Sequence, residues 1–249
     1  MSAYCLILQT IMSSGLYHCT SFENLKSILS SQKFYPSYCL EKATYWDEKQ
    51  CFVFAMICFA DLLDGEISSH MQRFRATTYL KMDKKWAMNN NINPVCYYTT
   101  KDSPMSAFVH RIIEQAMQEI KTKHRESEFT DVVNLLMAYL KQYEGRYWMD
   151  DKSEWSQDTI FYTEREWRYV PIVHGDASYC LSSDNFMNKQ IRTQKRQELI
   201  DKEYVLKFSI FDVLEIGVSS EQEKCQLVDF LDEKQFSQEW CNKIQIVSL

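Results

Sequence analysis

Apolar positions recur along this chain with two periods, and the places where one gives way to the other mark out its elements. Phe52 to Phe59 is continuously apolar, the pattern of a strand buried on both faces. Leu16-Tyr17-His18-Cys19 predicts a short strand that runs into Thr20-Ser21-Phe22-Glu23, a capping-box pattern opening a helix over Asn24–Ser31. Leu25, Ile28 and Leu29 form that helix's buried stripe. β-branched and aromatic runs predict further strands over Thr77–Lys81, Pro94–Thr100, Phe161–Val173, Tyr204–Ile210, Val213–Val218 and Lys243–Val247.

Helical spacing fills most of the intervals. A helix is expected from Asp61 to Phe74, and a short one capped by Asp83 carries Trp86. A long helix opens at Asp102-Ser103-Pro104 with the stripe Phe108, Ile112, Ile113, Ala116, Met117 and Ile120, and leaves at His124. A second, defined by Phe129, Val132, Val133, Leu136, Tyr139 and Leu140, is stopped by Gly145. Asp184–Glu203 is a polar helix whose Lys189, Arg192, Lys195 and Arg196 form a solvated face, and Ser220-Glu221-Gln222-Glu223 caps a last helix carrying Leu227, Val228 and Leu231. Phe34 to about residue 51, including Tyr45-Trp46, reads as an aromatic loop, and Met1–Met12 as a first strand or helix docking on the core. Strands and helices mix without strict βαβ alternation. The expectation is a single α+β domain over 1–249: a mixed, largely antiparallel sheet with flanking helices and a helical-hairpin insertion near 102–145.

Composition narrows the function. With 14% aromatic residues and only 5 Gly and 4 Pro in 249 residues, the chain is a folded protein with little linker. Its net charge of −6 offers no basic footprint for a nucleic-acid backbone or an anionic membrane. The 9 cysteines, none in a CxxC pair, predict buried reduced thiols in a cytoplasmic protein and no metal site. Gly-rich phosphate loops, GxSxG, HExxH and Walker patterns are absent, which removes P-loop hydrolases and zincins. Adjacent strand residues point to opposite faces, so Cys19 and His18 do not form a catalytic pair.

Two places carry candidate chemistry. Phe161 to Pro171 is the densest charged and aromatic stretch, and period-two alternation sets Glu164, Glu166 and Arg168 on one strand face. Such a face either lines a cleft or pairs its own charges across a solvated sheet. His18 stands just before a helix N-terminus, which favours an anion or phosphate, although a histidine there is also satisfied by a backbone carbonyl. A His, a Tyr and a Glu on separate strands would suit cleavage of an N-glycosidic bond, the Glu steadying an oxocarbenium-like centre.

Several blocks, in order and over nearly the full length, resemble the AbiGi family of bacterial abortive-infection proteins. They are Leu16-Tyr17-His18-Cys19-Thr20 with Asn24-Leu25-Lys26-Ser27-Ile28-Leu29, Tyr38-Cys39-Leu40-Glu41, Met56-Ile57-Cys58-Phe59-Ala60-Asp61, His70, Lys84-Lys85-Trp86, Ile92-Asn93-Pro94-Val95, Tyr162–Pro171 and Phe211–Val218. The resemblance implies a phage-defence role as the antitoxin-like member of a gene pair whose other product is a nucleotidyltransferase-like toxin, so a protein partner, that toxin or a phage component, is expected. The opening block is also similar to DNA-modifying ADP-ribosyltransferase toxins. That likeness implies NAD as cofactor, Glu166 or Glu164 with His18 as catalytic residues, and His18, Thr20, Tyr79 and Arg168 as cofactor-binding residues. Where the AbiGi pattern has a glycine-rich Tyr-Gly-x-Tyr-Gly-Ile-Gly run, this chain has Phe74-Arg75-Ala76-Thr77-Thr78-Tyr79-Leu80-Lys81, so Tyr79 and Lys81 would fill space that glycines leave open.

Overall fold

The structure is a computed structural model that describes residues 15–41, 52–63, 65–99, 103–123, 128–146, 148–149, 154–173 and 178–247. The expected element at Met1–Met12, the loop residues 42–51 with Tyr45-Trp46, and Asp102, His124 and Tyr147 lie outside them. The chain is α+β and divides into two compact units, Met1–Tyr35 with Ile57–Asn93 and Val205–Leu249, and Pro36–Met56 with Pro94–Tyr204.

The first unit is built on a sheet whose strands run, in spatial order, Ile244–Ile246, Val213–Val218, Thr78–Asp83, Gly15–Thr20 and the end of Phe52–Ala60. Neighbours are antiparallel, except that Val213–Val218 and Ile244–Ile246 run parallel. Alternation sends Tyr17 and Tyr79 to one face, where they join a core with Ala60, Leu62, Met71, Ala76 and Val247. The other face meets an aromatic cluster of Phe34, Phe59, Trp86 and Phe208. Helix Phe22–Ser31 buries Leu25 and Leu29, and its N-cap Ser21 accepts from the Asn24 amide at 3.4 Å. Asp83 caps helix Lys84–Asn89 by accepting from the Lys85 and Trp86 amides.

Two elements here are shorter than their apolar pattern suggests. The helix expected from Asp61 begins only at Ile67, because Asp61 is held by Lys84 at 2.8 Å, Leu62 turns into the core, and Gly65 takes a left-handed φ of 89°. The strand expected over Tyr204–Ile210 is reduced to Leu206–Lys207. A 3-10 turn over Ile210–Asp212 follows, locked by the Asp212 carboxylate, which accepts from the Ser209 amide and hydroxyl at 2.7 and 2.8 Å.

In the second unit, Phe52–Met56 is flanked on its two edges by Ser37–Glu41 and Cys180–Leu181, both antiparallel. Tyr38, Val53, Ala55, Leu181 and Leu199 form its core, the last from helix Lys189–Asp201. The predicted loop at Phe34–Tyr38 is therefore partly strand, over Lys33–Phe34 and Ser37–Glu41. The polar helix expected over Asp184–Glu203 is broken at Asn188, whose side chain caps Lys189–Asp201. Its basic face is partly used: Arg196 donates to the Pro36 carbonyl at 3.0 Å and Lys195 pairs with Glu198 at 2.8 Å.

Helices Pro104–Lys123 and Glu128–Tyr139 pack against each other, but with their stripes rotated from the expected phase. Val109, Ile113 and Ala116 are buried while Phe108, Met117 and Ile120 are exposed; Val133 and Met137 are buried while Val132 and Leu136 are exposed. Each helix is apolar on more than one side, so periodicity alone does not choose the buried one. The second helix ends at Tyr139, before Gly145, because Leu140–Gln142 leaves it as a strand parallel to Cys96–Tyr98. The strand expected over Pro94–Thr100 is accordingly only Asn93–Pro94 and Cys96–Tyr98. No described cysteine is fully buried as expected: Cys96 and Cys225 are exposed, and Cys19, Cys39, Cys58, Cys180 and Cys241 are half-buried.

Candidate functional site

Strand alternation through Glu166–Tyr169 turns Glu166 and Arg168 to one side, and in the second unit that side is interior. Phe161–Val173 is not one strand. Phe161–Glu164 is a 3-10 turn, Arg165 takes a left-handed φ of 40°, and only Glu166–Tyr169 is extended. The turn nonetheless delivers Glu164 to the same place, because both Glu164 and Glu166 reach Lys141 on the neighbouring Leu140–Gln142 strand, at 2.6 and 3.0 Å.

Arg168 is the centre of the cluster and is 1% exposed. Its Nε and Nη2 donate to the two carboxylate oxygens of Glu166 at 2.7 and 2.9 Å, the bidentate fork suited to a guanidinium. Nη2 also donates to Glu41 at 2.7 Å, and Nη1 to the Ala138 carbonyl at 2.7 Å. Three carboxylates thus share two cations, with Arg168 and the two later glutamates buried and Glu41 and Lys141 half-buried. Burial alone would raise the Glu166 pKa, but Arg168 and Lys141 override it and hold the carboxyl far below the usual range. Burial pulls the Lys141 ammonium down, and Glu166, Glu164 and Glu41 more than reverse it, leaving its pKa well above the ordinary value. Of the two readings of this face, the pairing of glutamate with arginine is present, but in the interior and not on a solvated sheet.

This geometry limits the chemistry. Both oxygens of Glu166 already accept charged donors, Oε1 one and Oε2 two, so the side chain is a fixed anion whose pKa is lowered rather than raised toward that of a general base. The surroundings are phenolic: the Glu166 amide donates to the Tyr97 hydroxyl at 2.9 Å, and Tyr162 packs edge-on against Tyr97 and stacks on Tyr143. Burial pushes the Tyr97 hydroxyl up to about 12. Lys141 and Glu41 are the members that sequence reasoning missed. No local pattern marks them, since Lys141 sits in Leu140-Lys141-Gln142, which continues an apolar helix on paper, and Glu41 ends a strand.

His18 belongs to the first unit, as do Thr20 and Tyr79. Its Nδ1 lies 2.9 Å from the Cys58 carbonyl, and its ring contacts Phe34 and Phe59 at centroid distances of 5.0 and 5.4 Å. That bond makes Nδ1 the protonated nitrogen of a neutral ring, and burial lowers the pKa more than the carbonyl raises it. The backbone-carbonyl reading of this histidine is the one that the structure displays. Antiparallel register pairs Cys19 with Tyr79 and His18 with Leu80, and directly paired residues share a face. Tyr79 therefore projects away from His18 and Thr20. It packs edge-on against Tyr17 at 5.2 Å, hydrogen-bonds to Glu215, and lies across Gly217, where an added Cβ would come within 2.0 Å of its ring. The space that a glycine-rich run would leave open is filled by this ring. Among the described residues no group of His, Cys, Asp and Glu is arranged to hold a metal ion.

The family model described as "Putative abortive phage resistance protein AbiGi, antitoxin" matches residues 32–218. The chain is similar to a protein of Lactococcus lactis subsp. cremoris named "Abortive phage resistance protein AbiGi", 25% identical over 206 residues, which covers 72% of this chain and 77% of the relative. No solved structure matches it. The match contains Glu41, Lys141, Glu164, Glu166 and Arg168 but begins after His18 and Thr20.

Proposed function

The chain belongs to the AbiGi family of abortive phage resistance antitoxins, and on that premise we propose that it acts by binding a cognate toxin or a phage component. The partner that fits best is a nucleotidyltransferase-like toxin encoded beside it, met in the cytoplasm; no described helix is long and apolar enough to cross a membrane. One observation carries the choice of binding over catalysis. The candidate catalytic glutamate is engaged inside the fold, with both oxygens of Glu166 held by Arg168 and Lys141. The test is co-expression with the neighbouring gene: the antitoxin is expected to co-purify with that product and restore growth. A toxin that neither co-purifies nor is neutralised refutes the reading.

The alternative is an enzyme using NAD to modify a nucleic-acid or protein target, with Glu166 or Glu164 and His18 in catalytic roles and Thr20, Tyr79 and Arg168 binding the cofactor. It would require Glu166 to act against its pairing with Arg168 and Lys141, and Tyr79 to leave the core face opposite His18. Labelled NAD incubated with the protein and infected lysate decides it. Absence of turnover, together with full protection by Glu166→Gln, removes it.

A further inference from the structure

Helix Glu128–Tyr139 buries Thr130, Val133, Met137 and Ala138, yet its other side is also apolar. Helical spacing places Glu128, Asp131, Val132 and Leu135 on one stripe, and that stripe forms one wall of a groove of about 360 Å³. Ile172 and Val173 stand on the opposite wall, and the Tyr179 hydroxyl ties the two sides by donating to the Asp131 carbonyl at 2.8 Å. Val132 is 60% and Ile172 65% exposed, so the groove has an aliphatic residue on each rim. Glu128 and Asp131, both exposed in the helix's first turn, give one end a negative charge that no described basic side chain neutralises.

We infer that this groove docks a short amphipathic, basic segment of the partner protein, seating an aliphatic side chain between Val132 and Ile172 and a lysine or arginine against Glu128 and Asp131. The inference rests on the binding reading above and names the surface and the chemistry that it would use. The groove mixes aliphatic residues with the polar Asn134 and Ser178, and aliphatic contacts set among polar ones are the make-up of surfaces that proteins keep for partners. The chain's net charge of −6 favours approach of a cationic segment over an acidic one.

The probe is a fluorescently labelled peptide of leucines and lysines, with a leucine–glutamate peptide of the same length as its counterpart, followed by anisotropy at low and physiological salt. The lysine peptide should bind and the glutamate peptide should not. Glu128→Lys with Asp131→Lys should weaken binding roughly tenfold, and Val132→Ser with Ile172→Ser by a similar factor. All four positions are on the surface of the groove, and a circular-dichroism melt confirms that the variants fold. Glu221→Lys with Glu233→Lys, on exposed positions of the other unit, changes net charge equally and should leave affinity within about twofold. Equal losses in the groove and control variants, or no binding of the lysine peptide, overturn the inference. A toxin that binds the native chain and the groove variants alike also overturns it, with the binding reading intact. A toxin that fails to bind the native chain overturns that reading itself, and with it the assignment of the segment to the toxin.

Discussion

Replacing Arg168 with methionine tests whether the charged cluster is what holds the second unit together. Methionine keeps an unbranched apolar stem and removes the guanidinium with its charge, at a position 1% exposed. Glu166 loses both guanidinium contacts, Glu41 loses its 2.7 Å partner and the Ala138 carbonyl loses its donor. Within the cluster only Lys141 then faces three carboxylates. Removing one partner of a buried ion pair costs about 3–5 kcal/mol, against about 5–15 kcal/mol for the stability of a whole domain. With a urea slope near the steep end of about 1–3 kcal/mol per molar, suited to a chain of this length, the unfolding midpoint should fall by about 1–2 M. Hydrogen exchange read peptide by peptide should place the lost protection in Leu140–Gln142 and Glu166–Tyr169 rather than in the first unit's sheet.

The pH dependence has a definite sign. The folded-state pKa of Glu166 lies below the ordinary glutamate value of 4.5, so its contribution is present above about pH 4.5 and is lost as pH falls toward the folded value. Without Arg168 that depression is relieved, so the gap between native chain and variant should narrow in acid. A midpoint shift corresponding to less than about 1 kcal/mol, or a gap that widens below pH 4.5, would refute the structural role given to the cluster.

Three further outcomes are expected. Gly217→Ala should destabilise the first unit by about 1–3 kcal/mol, read as a lower melting temperature, because the new Cβ would meet the Tyr79 ring at 2.0 Å. The folded pKa of His18 is depressed below 6.5, so its share of stability is present above about pH 6.5 and is lost as pH falls toward the folded value; urea melts of His18→Phe should show a weaker pH dependence in that window. Tyr98→Phe should leave stability unchanged or raise it by up to about 1 kcal/mol by the same melts, since the buried Tyr98 hydroxyl has no hydrogen-bond partner among the described residues.

The features that were legible in sequence are those decided locally. Asp83 and Ser220 announce helix starts because their side chains bond to amides two or three residues on, and the structure contains both caps, whereas the box expected over Thr20–Glu23 is realised one residue later, with Ser21 as the cap of a helix that begins at Phe22. The unbroken apolar run of Phe52–Ala60 is legible because both faces of that strand are covered. What sequence does not reveal is which of two apolar sides a helix will bury, and the stripes of Pro104–Lys123 and Glu128–Tyr139 were misphased for that reason. Alternation grouped Glu164, Glu166 and Arg168 correctly, yet Glu164 arrives through a 3-10 turn ending in a left-handed Arg165, a conformation no glycine advertised. Lys141 and Glu41 are partners chosen by tertiary pairing at separations of 23 and 127 residues from Glu164 and Arg168, and no local pattern encodes such a choice.

The same ion pairing that makes Arg168 structural bears on how far Glu166 could serve a reaction. To take a proton from a substrate, Glu166 would have to give up charge-assisted bonding that it draws from Arg168 at 2.7 and 2.9 Å and from Lys141 at 3.0 Å. Hydrogen bonds to charged groups contribute about 1.5–3 kcal/mol each, so opening the site before every turnover would slow the reaction by about one to two powers of ten. A binding protein meets no such cost, because it uses these contacts only to hold the strand and its helices in place. The polar core can then stay closed while the partner is met at the surface, where Val132 and Ile172 stand exposed beside the carboxylates of Glu128 and Asp131.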